Sequence, residues 1–407
     1  MWQALPKIGG LAWPVVVALA WLAGEVAQRW KVPRVTTYAL VGFASGWAFS
    51  GAGGIGLPDG SNLLASVAFG LLLFEFGYRI NLHWFRINPW LAATGLLDVT
   101  LTFIAVYALC RLFAAAPISA ALIASMTAAT SPASLTRVVN ELRSSGQVTE
   151  RALHLSAFNC LCALLAFKFI VGFWTFDTSG DLLKALSNSV VVLLVSAGLG
   201  GAFGTGMPLV LRVTGRSSSD ATLPFALAVV LLVAVTHVLG FSPVVASLAF
   251  GLVARHRRVT LNQTQRNFGV LGDLLVVFLF TYVAVTVEWQ RAVAGAALGA
   301  ALVVVRAAAK IVAVTVLARP SGTTWKKGML TALAMSPLST FVVLLVEDTR
   351  AVGIDLVDAI APVAAATLLL QWIGPLATQV ALVLAGEVQE QPVKETPKQA
   401  ALGEPVR

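Results

Sequence analysis

The feature that most constrains this chain is a series of apolar runs, each about 20 residues long, that recurs almost from end to end. A helix of that length matches the hydrocarbon core of a bilayer. Hydrophobic residues make up 58% of the 407 residues and charged residues only 12%, with a mean hydropathy of +0.84. Soluble domains carry about 25% charged residues. The sequence therefore predicts an all-α polytopic membrane protein, because a barrel would show shorter segments of alternating polarity.

Thirteen such runs divide the chain, and we assign them to one transmembrane domain of residues 1–388. The predicted spans lie near residues 11–29, 35–52, 62–79, 90–113, 118–137, 149–176, 184–212, 219–239, 242–255, 269–287, 292–318, 324–346 and 357–385. The first run has no small-residue cleavage site, so we expect it to stay as a span and not to leave as a signal peptide. Residues 389–407 are rich in Pro, Lys, Glu and Gln, which predicts a disordered tail.

Positive charges in the loops fall mainly after odd-numbered spans. Those loops carry 17 Lys and Arg residues, against 4 in the loops after even-numbered spans. The larger set is Arg29, Lys31, Arg34, Arg79, Arg86, Arg137, Arg143, Arg151, Arg212, Arg216, Arg255, Arg257, Arg258, Arg266, Arg319, Lys326 and Lys327. Because basic loops stay in the cytoplasm, this asymmetry predicts an outer N-terminus and a cytoplasmic C-terminus. We expect a multi-pass protein of the plasma membrane or cell inner membrane, with the lipid bilayer as a partner.

The composition also argues against several function classes. The net charge of +9 is scattered over the loops, which does not suggest a nucleic-acid partner. The three cysteines and four histidines show no metal-ligand spacing, and we expect no metal or other cofactor. The sequence has no zinc motif, no intramembrane aspartate pair and no nucleotide-binding fingerprint. A membrane-embedded enzyme is therefore not expected.

Two apolar segments contain the same interruption, a Ser-Pro pair. AATSPASL at 128–135 lies in the fifth span and AMSPLST at 334–340 in the twelfth, so Pro132, Ser336 and Pro337 fall inside helices. Proline lacks an N–H and clashes with the preceding turn, and the carbonyls that it frees need partners in hydrocarbon. Two ordinary proline kinks would account for these breaks separately. Matched breaks seven spans apart favour two crossed discontinuous helices in inverted repeats, an arrangement that marks a transporter's central site.

Several charged residues fall within predicted spans, where a charge is costly and needs a partner or a function. They include Glu75 in span three, Asp98 in span four, and Arg306 with Lys310 one turn apart in span eleven. The depths of Glu75 and Arg306 favour a structural ion pair between them. For Asp98 and Lys310 a structural role and a proton-carrying role both stay open. Lys168 in span six is expected to snorkel to the outer interface, the alternative being a resident cation near the site.

Several stretches together resemble the monovalent cation:proton antiporters, closest to their second family. The stretches are VPRVTTYALVGFASGW (32–47), LLLFEFGYRINL (71–82), AATSPASLTRVVNELRSSGQVTERAL (128–153), LGFSPVVASLAFGLVAR (239–255), VRAAAK (305–310) and IGPLATQVALVLAGE (373–387). The likeness covers spans two to thirteen and keeps their order. It implies a core domain, here spans four to six and eleven to thirteen, that moves across the bilayer against a fixed dimerisation domain. It also implies a homodimer.

The resemblance implies an ion site as well, and this chain departs from it at two positions. Members usually carry Asn-Asp or Asp-Asp in the sixth span, where this sequence has Asn159 and Cys160. Many also carry Thr-Asp-Pro in the fifth-span break, where this sequence has Thr130, Ser131 and Pro132. The site implied for this chain therefore lacks both aspartates.

The implied ion site consists of Thr130, Ser131, Ser156, Asn159 and Cys160. A carboxylate can bind either Na⁺ or a proton, and that competition is what couples the two fluxes in the family. A thiol, with an ordinary pKa of about 8.5, is mostly neutral near pH 7 and is a soft ligand that suits Na⁺ or K⁺ poorly. The substitution predicts weak or absent Na⁺/H⁺ exchange near neutral pH, and a gain of exchange in Cys160→Asp.

Two functions stay open at this point. The first is an antiporter that exchanges Na⁺ or K⁺ for a proton by alternating access and uses an acid elsewhere in the core. The second is a member of the fold that has lost proton coupling and acts as a channel, a sensor or a carrier of another solute, which could be anionic.

Overall fold

The computed structural model describes residues 6–50, 60–179, 182–213, 221–257, 261, 268–286, 289–339 and 361–388. Over these ranges the chain forms sixteen helices and one isolated β-bridge. The helices are α1 Pro6–Arg29, α2 Arg34–Ser50, α3 Ser61–Arg79, α4 Leu82–Ile87, α5 Pro89–Leu112, α6 Pro117–Ala128, α7 Pro132–Glu141, α8 Gln147–Ser179, α9 Leu182–Val213, α10 Thr222–Val238, α11 Pro243–His256, α12 Gly269–Val285, α13 Trp289–Ala294, α14 Ala296–Val316, α15 Trp325–Ala334 and α16 Ala361–Leu384. The predicted tail and residues 340–346 of span twelve lie outside the described residues.

The helices follow the predicted spans closely. Each predicted span coincides with one helix or with a pair, except that the short α4 lies in the loop between spans three and four. Among the described residues, α3, α5, α8, α9, α14 and α16 contain stretches long and apolar enough to cross a membrane, and α6, α10, α11 and α12 are shorter apolar helices. The all-helical fold is confirmed, whereas the number of thirteen spans stays a prediction.

The helices pack in two groups, which we call the scaffold and the core. The scaffold contains α1–α3 and α9–α12, and the core contains α5–α8 and α14–α16. The two groups meet mainly where α2 packs on α16 and where α8 packs on α9. The core corresponds to spans four to six and eleven to thirteen, the grouping that the resemblance implies.

Aromatic side chains and glycines hold the centre of the scaffold together. The ring of Phe74 on α3 lies 4.8 Å from that of Phe250 and 5.3 Å from that of Phe225, measured between centroids. Helices α3 and α11 approach so closely that a Cβ on Gly77 or Gly251 would meet the backbone of the opposite helix. These contacts make the scaffold a well-packed support for the core.

Basic residues from the loops that follow spans one, three and five meet at one end of the bundle. There a cavity of about 1860 Å³ opens between scaffold and core, and we call it the polar cavity. Its lining includes Arg34, Arg79, Arg137 and Arg143, which come from loops after spans one, three and five. This clustering fits the predicted alternation of the spans, and the cytoplasmic orientation of this end stays a prediction.

Candidate functional site

The two Ser-Pro breaks lie side by side in the core. Thr130 and Leu338 form an antiparallel bridge, and the N–H of Ser131 donates to the carbonyl of Pro337 at 2.9 Å. Helix α6 ends at Ala128, and α7 begins at Pro132, whose missing N–H is no loss at the first position of a helix. The side chain of Ser131 caps α7 by accepting from the N–H of Ser134 at 3.2 Å. The two breaks that the sequence predicts therefore lie against each other, and we call this contact between residues 129–131 and 336–338 the crossover.

Arg306 on α14 binds the carbonyls that the breaks leave without helical partners. Its guanidinium donates to Thr127 O at 2.7 Å and Ala129 O at 3.0 Å in the first segment. In the second segment it donates to Ser336 O at 2.6 Å and Pro337 O at 3.4 Å. The planar guanidinium carries five N–H donors in a fixed fork and can reach these four carbonyls at once, whereas an ammonium has only three donors. Arg306 therefore joins the two breaks and places a fixed positive charge beside them.

Asp98 on α5 is completely buried and accepts hydrogen bonds from three other core residues. Its Oδ2 accepts from the amide of Asn159 at 2.6 Å and from the ammonium of Lys310 at 2.9 Å. Its Oδ1 accepts from the hydroxyl of Thr102 at 3.2 Å. Lys310 is 1% exposed and also approaches the carbonyl of Ala128, at 3.5 Å. A buried carboxylate and a buried ammonium thus meet at the end of α6, beside the crossover.

The pairing predicted between Glu75 and Arg306 is wrong. Glu75 on α3 contacts Arg79 at 3.5 Å and accepts from the amide of Asn140 at 2.9 Å. Arg306 donates to backbone carbonyls, as described above. Similar depth in the bilayer does not make two side chains neighbours, because Glu75 belongs to the scaffold and Arg306 lies inside the core. The ion pair of the crossover is Lys310 with Asp98.

The polar residues of α8 share one buried face next to Asp98. Ser156, Asn159 and Cys160 are 0%, 0% and 3% exposed. The amide of Asn159 points its N–H groups at Asp98 and, at 3.4 Å, at the hydroxyl of Thr130. Among the described residues, Ser156 Oγ and Asn159 Oδ1 have no hydrogen-bond partner. Two oxygen acceptors are therefore available on this face of α8, one of them on the amide that contacts Asp98, and buried acceptors of this kind ordinarily bind water or a ligand.

In the sequence Asp98 is only one of several charges within predicted spans. A signal for it is present, since Thr94 and Thr102 lie one turn before and after Asp98 on the same face of the span. Such a stripe predicts one polar face on α5. The sequence could not indicate that Asn159 of α8 and Lys310 of α14 would meet this face.

The buried charges at the crossover do not cancel. Asp98 contributes one negative charge, and Arg306 and Lys310 contribute two positive charges, so the three carry a net positive charge when all are ionised. Cys160 adds a neutral thiol. Among the described residues no group of His, Cys, Asp and Glu side chains could hold a metal ion. The site therefore offers a ligand one carboxylate oxygen, Asp98 Oδ2, which already accepts from an amide and an ammonium.

An acidic residue also lies at the polar cavity, beyond the predicted end of span five at residue 137. Glu141 accepts from the backbone N–H of Arg34 at 3.3 Å. Burial raises the pKa of Glu141 from its ordinary value of 4.5 to about 7, although that N–H and the charges of Arg34 and Arg137 act in the opposite direction. This carboxyl therefore changes charge near neutral pH.

Comparisons with known proteins agree with this architecture. Residues 15–382 match the family model described as sodium/hydrogen exchanger, transmembrane. The ammonium/H(+) antiporter subunit AmhT of Alkalihalophilus pseudofirmus is 24% identical over 342 residues, which cover 81% of this chain and 84% of that protein.

Two solved structures of the sodium proton antiporter MjNhaP1 from Methanocaldococcus jannaschii have the same fold. One, at pH 8, aligns with a TM-score of 0.59 and 14% identity over 93% of this chain and 96% of that chain. The other, from electron microscopy, aligns with a TM-score of 0.65 and 15% identity over 95% of this chain and 100% of that chain.

Proposed function

Because this chain belongs to the sodium/hydrogen exchanger family, we propose that it exchanges a monovalent cation for a proton by alternating access, with Asp98 as the buried acid. The observation that carries this proposal is the double contact of Asp98 Oδ2, with the amide of Asn159 and with the ammonium of Lys310. Asn159 occupies the sixth-span position that the family resemblance marks. The carboxylate absent at position 160 thus has a substitute on α5, beside the same asparagine.

The buried charges provide a reason for coupling. A dehydrated cation beside Asp98 would join Lys310 and Arg306, and three positive charges would face one carboxylate in a medium that solvates ions poorly. Loss of the Lys310 proton removes one of those charges. Cation binding therefore favours proton release, and protonation of Lys310 favours cation release. Competition at a single carboxylate oxygen is sufficient for exchange.

The candidate cations are those that can replace the Lys310 ammonium at Asp98. Na⁺ and K⁺ can use the carboxylate together with the oxygen acceptors of Asn159 and Ser156. Ammonium joins them as a candidate, because AmhT is an ammonium/H(+) antiporter subunit. An ammonium ion also presents the same N–H donors that Lys310 directs at Asp98 Oδ2.

Purified protein in liposomes with an internal pH dye tests this function. When Na⁺, K⁺ or NH₄⁺ is added against an imposed pH gradient, protons should move faster than in protein-free liposomes. The rate in protein-free liposomes corrects for ammonia that crosses the bilayer without the protein. Asp98→Asn should reduce the rate for the transported ion at least tenfold. Glu150→Gln, at a carboxylate that is 52% exposed and distant from the crossover, is the control. Exchange in Asp98→Asn equal to that of the wild type would contradict the assignment of the acid.

One observation favours the second function, that of an uncoupled carrier or channel. The net positive charge of Asp98, Arg306 and Lys310 suits an anion better than a cation. The same liposomes, loaded with an anion-sensitive dye, decide between the two. Anion flux that needs Lys310 and persists without a pH gradient would favour the anion function, whereas proton-coupled cation flux favours the antiporter.

A further inference from the structure

Helix α7 touches the crossover at one end and the scaffold at the other. Its cap, Ser131, and its first residue, Pro132, lie at the bridge between the two broken segments. Its last turns carry Arg137, Asn140 and Glu141, which line the polar cavity. With 10 residues the helix is about 15 Å long, short enough to move as one rigid body. A contact at its outer end is therefore linked mechanically to the site at its inner end.

Arg137 bonds α7 to the scaffold helix α12. Its Nη1 donates to Asp273 Oδ1 at 2.8 Å, and its Nη2 lies 3.4 Å from the carbonyl of Gly272. The two partners differ in environment, because the side chain of Arg137 is 9% exposed and that of Asp273 is 69% exposed. Both side chains line the polar cavity, so water in the cavity can replace the contact on either side when the pair opens. The pair suits a contact that breaks and re-forms.

Asn140 and Glu141 bond α7 to two further scaffold helices. The amide of Asn140 donates to Glu75 Oε1 at 2.9 Å and accepts from the guanidinium of Arg79, both on α3. Glu141 accepts from the backbone of Arg34 at the start of α2. Three residues within five positions of α7 thus contact α12, α3 and α2. Such a concentration of polar contacts at the boundary of two helix groups is specific to one relative position of those groups.

We propose that Arg137, Asn140 and Asp273 form a latch that holds the core against the scaffold in the conformation seen here, and that the latch opens in each transport cycle. The proposal rests on the alternating-access function proposed above. The three are positioning residues, since they act on the ion site through α7 and touch no transported ion. When the latch opens, α7 and the crossover are free to move together relative to α12 and α3.

The test compares two neutralising variants, Arg137→Gln and Asp273→Asn, with the wild type. Arg143→Gln is the matched control, because it removes one positive charge from the lining of the same cavity. Arg137→Lys keeps the charge and is the rescue variant. Two quantities are measured on folded protein: amide hydrogen exchange of residues 132–141 and the kinetics of cation-driven proton flux.

The latch predicts that both neutralising variants speed amide exchange of α7 at least threefold, and that the double variant adds nothing further. It also predicts a rise of at least threefold in maximal flux, with the KM for the cation changed less than twofold. Arg137→Lys should return both quantities toward the wild-type values, and Arg143→Gln should alter neither. A purely structural contact would change amide exchange and leave maximal flux per folded protein unaltered, and this outcome overturns the latch.

The two proposals fail in distinguishable ways. If the wild type moves no cation under any condition, the antiporter function is wrong and the opening of the latch in each cycle falls with it, whereas amide exchange still tests whether Arg137 and Asp273 hold α7 against the scaffold. If neither neutralising variant changes amide exchange of α7, the latch is wrong even when the wild type exchanges cations well.

Discussion

The amide of Asn159 donates a 2.6 Å hydrogen bond to the carboxylate of Asp98, and this bond joins α8 to α5 at the crossover. The amide orientation follows from chemistry, because an ionised carboxylate only accepts hydrogen bonds. Lys310 reaches the same oxygen at 2.9 Å. The arrangement keeps an acid next to the sixth-span asparagine although the adjacent position 160 is a cysteine.

The Asp98–Lys310 pair yields a stability prediction. Lys310→Met leaves a fully buried carboxylate without its counter-ion and should lower the free energy of unfolding by about 3–5 kcal/mol. Asp98→Leu combined with Lys310→Met should cost less than Lys310→Met alone, because no uncompensated carboxylate remains. Thermal unfolding in detergent measures both. Lys327→Met serves as the control, since it removes a half-buried lysine whose exposed hydrogen bond is to Gln147. A double variant as unstable as the sum of its singles would show that the pair is not coupled.

Glu141 yields a pH-dependence prediction. Its pKa in the folded protein, about 7, is above its ordinary value of 4.5, so the folded state favours the neutral carboxyl. That contribution to stability is complete below pH 4.5 and is lost as the pH rises through about 7. Glu141→Gln stays neutral, so the variant should differ least from the wild type near pH 5 and exceed its free energy of unfolding more at pH 8, by about 1–3 kcal/mol.

The measurement is the thermal midpoint of wild type and Glu141→Gln from pH 5 to pH 8. Glu25→Gln, at an acid of the same cavity that pairs with Arg34, is the control and should not remove the pH dependence. A constant difference between Glu141→Gln and wild type over this range would mean that Glu141 does not titrate there.

The features of this fold that could be predicted from the sequence are those that local chemistry determines. The Ser-Pro pairs mark the breaks at Pro132 and Pro337 because proline cannot continue a helix. Apolar length marks the spans for a similar reason. The partners of Arg306 could not be predicted, since depth along a span says nothing about which neighbouring helix a side chain faces. Arg306 and Lys310 share one face of α14, yet one binds carbonyls and the other a carboxylate, a difference that only the packing of α5 and α6 determines.

Glu387 yields a prediction for the base of α8. Its carboxylate accepts from the backbone N–H groups of Val148 and Thr149 at 2.8 Å each, and from the hydroxyl of Thr149 at the same distance. It therefore caps α8 from the end of another helix and complements the helix dipole. Glu387→Gln should lower the free energy of unfolding by about 1–2 kcal/mol. Gly146→Ala should be destabilising as well, because its Cβ would meet the Glu387 side chain and its φ of 158° lies at the edge of the region that favours glycine.

Thermal unfolding in detergent measures these two variants. Glu150→Gln is a suitable comparison, because it removes a carboxylate from the first turn of the same helix without removing bonds to Val148 or Thr149. Equal losses in Glu150→Gln and Glu387→Gln would indicate that only the charge matters and that the bonds to the helix end contribute nothing.

The last prediction concerns the position of the acid itself. If Asp98 has taken over the role that the sixth-span aspartate has in relatives, then the two positions should be interchangeable around Asn159. Asp98→Asn should abolish cation-coupled proton flux, and Asp98→Asn combined with Cys160→Asp should restore a measurable part of it, because position 160 contacts Ser339 beside the second break and the double variant again has one carboxylate there. Cys160→Asp alone would add a second negative charge and cancel the net positive charge of the site, which should strengthen cation binding and lower the KM for the cation.

Cys160→Ser in the Asp98→Asn background is the control, since it changes the same side chain without adding a charge. All four variants can be compared with wild type in the same liposomes. Restored flux with Cys160→Asp and none with Cys160→Ser would show that exchange needs a carboxylate beside Asn159, whichever helix supplies it. A folded double variant with no flux would show that position 160 on α8 cannot replace Asp98 on α5.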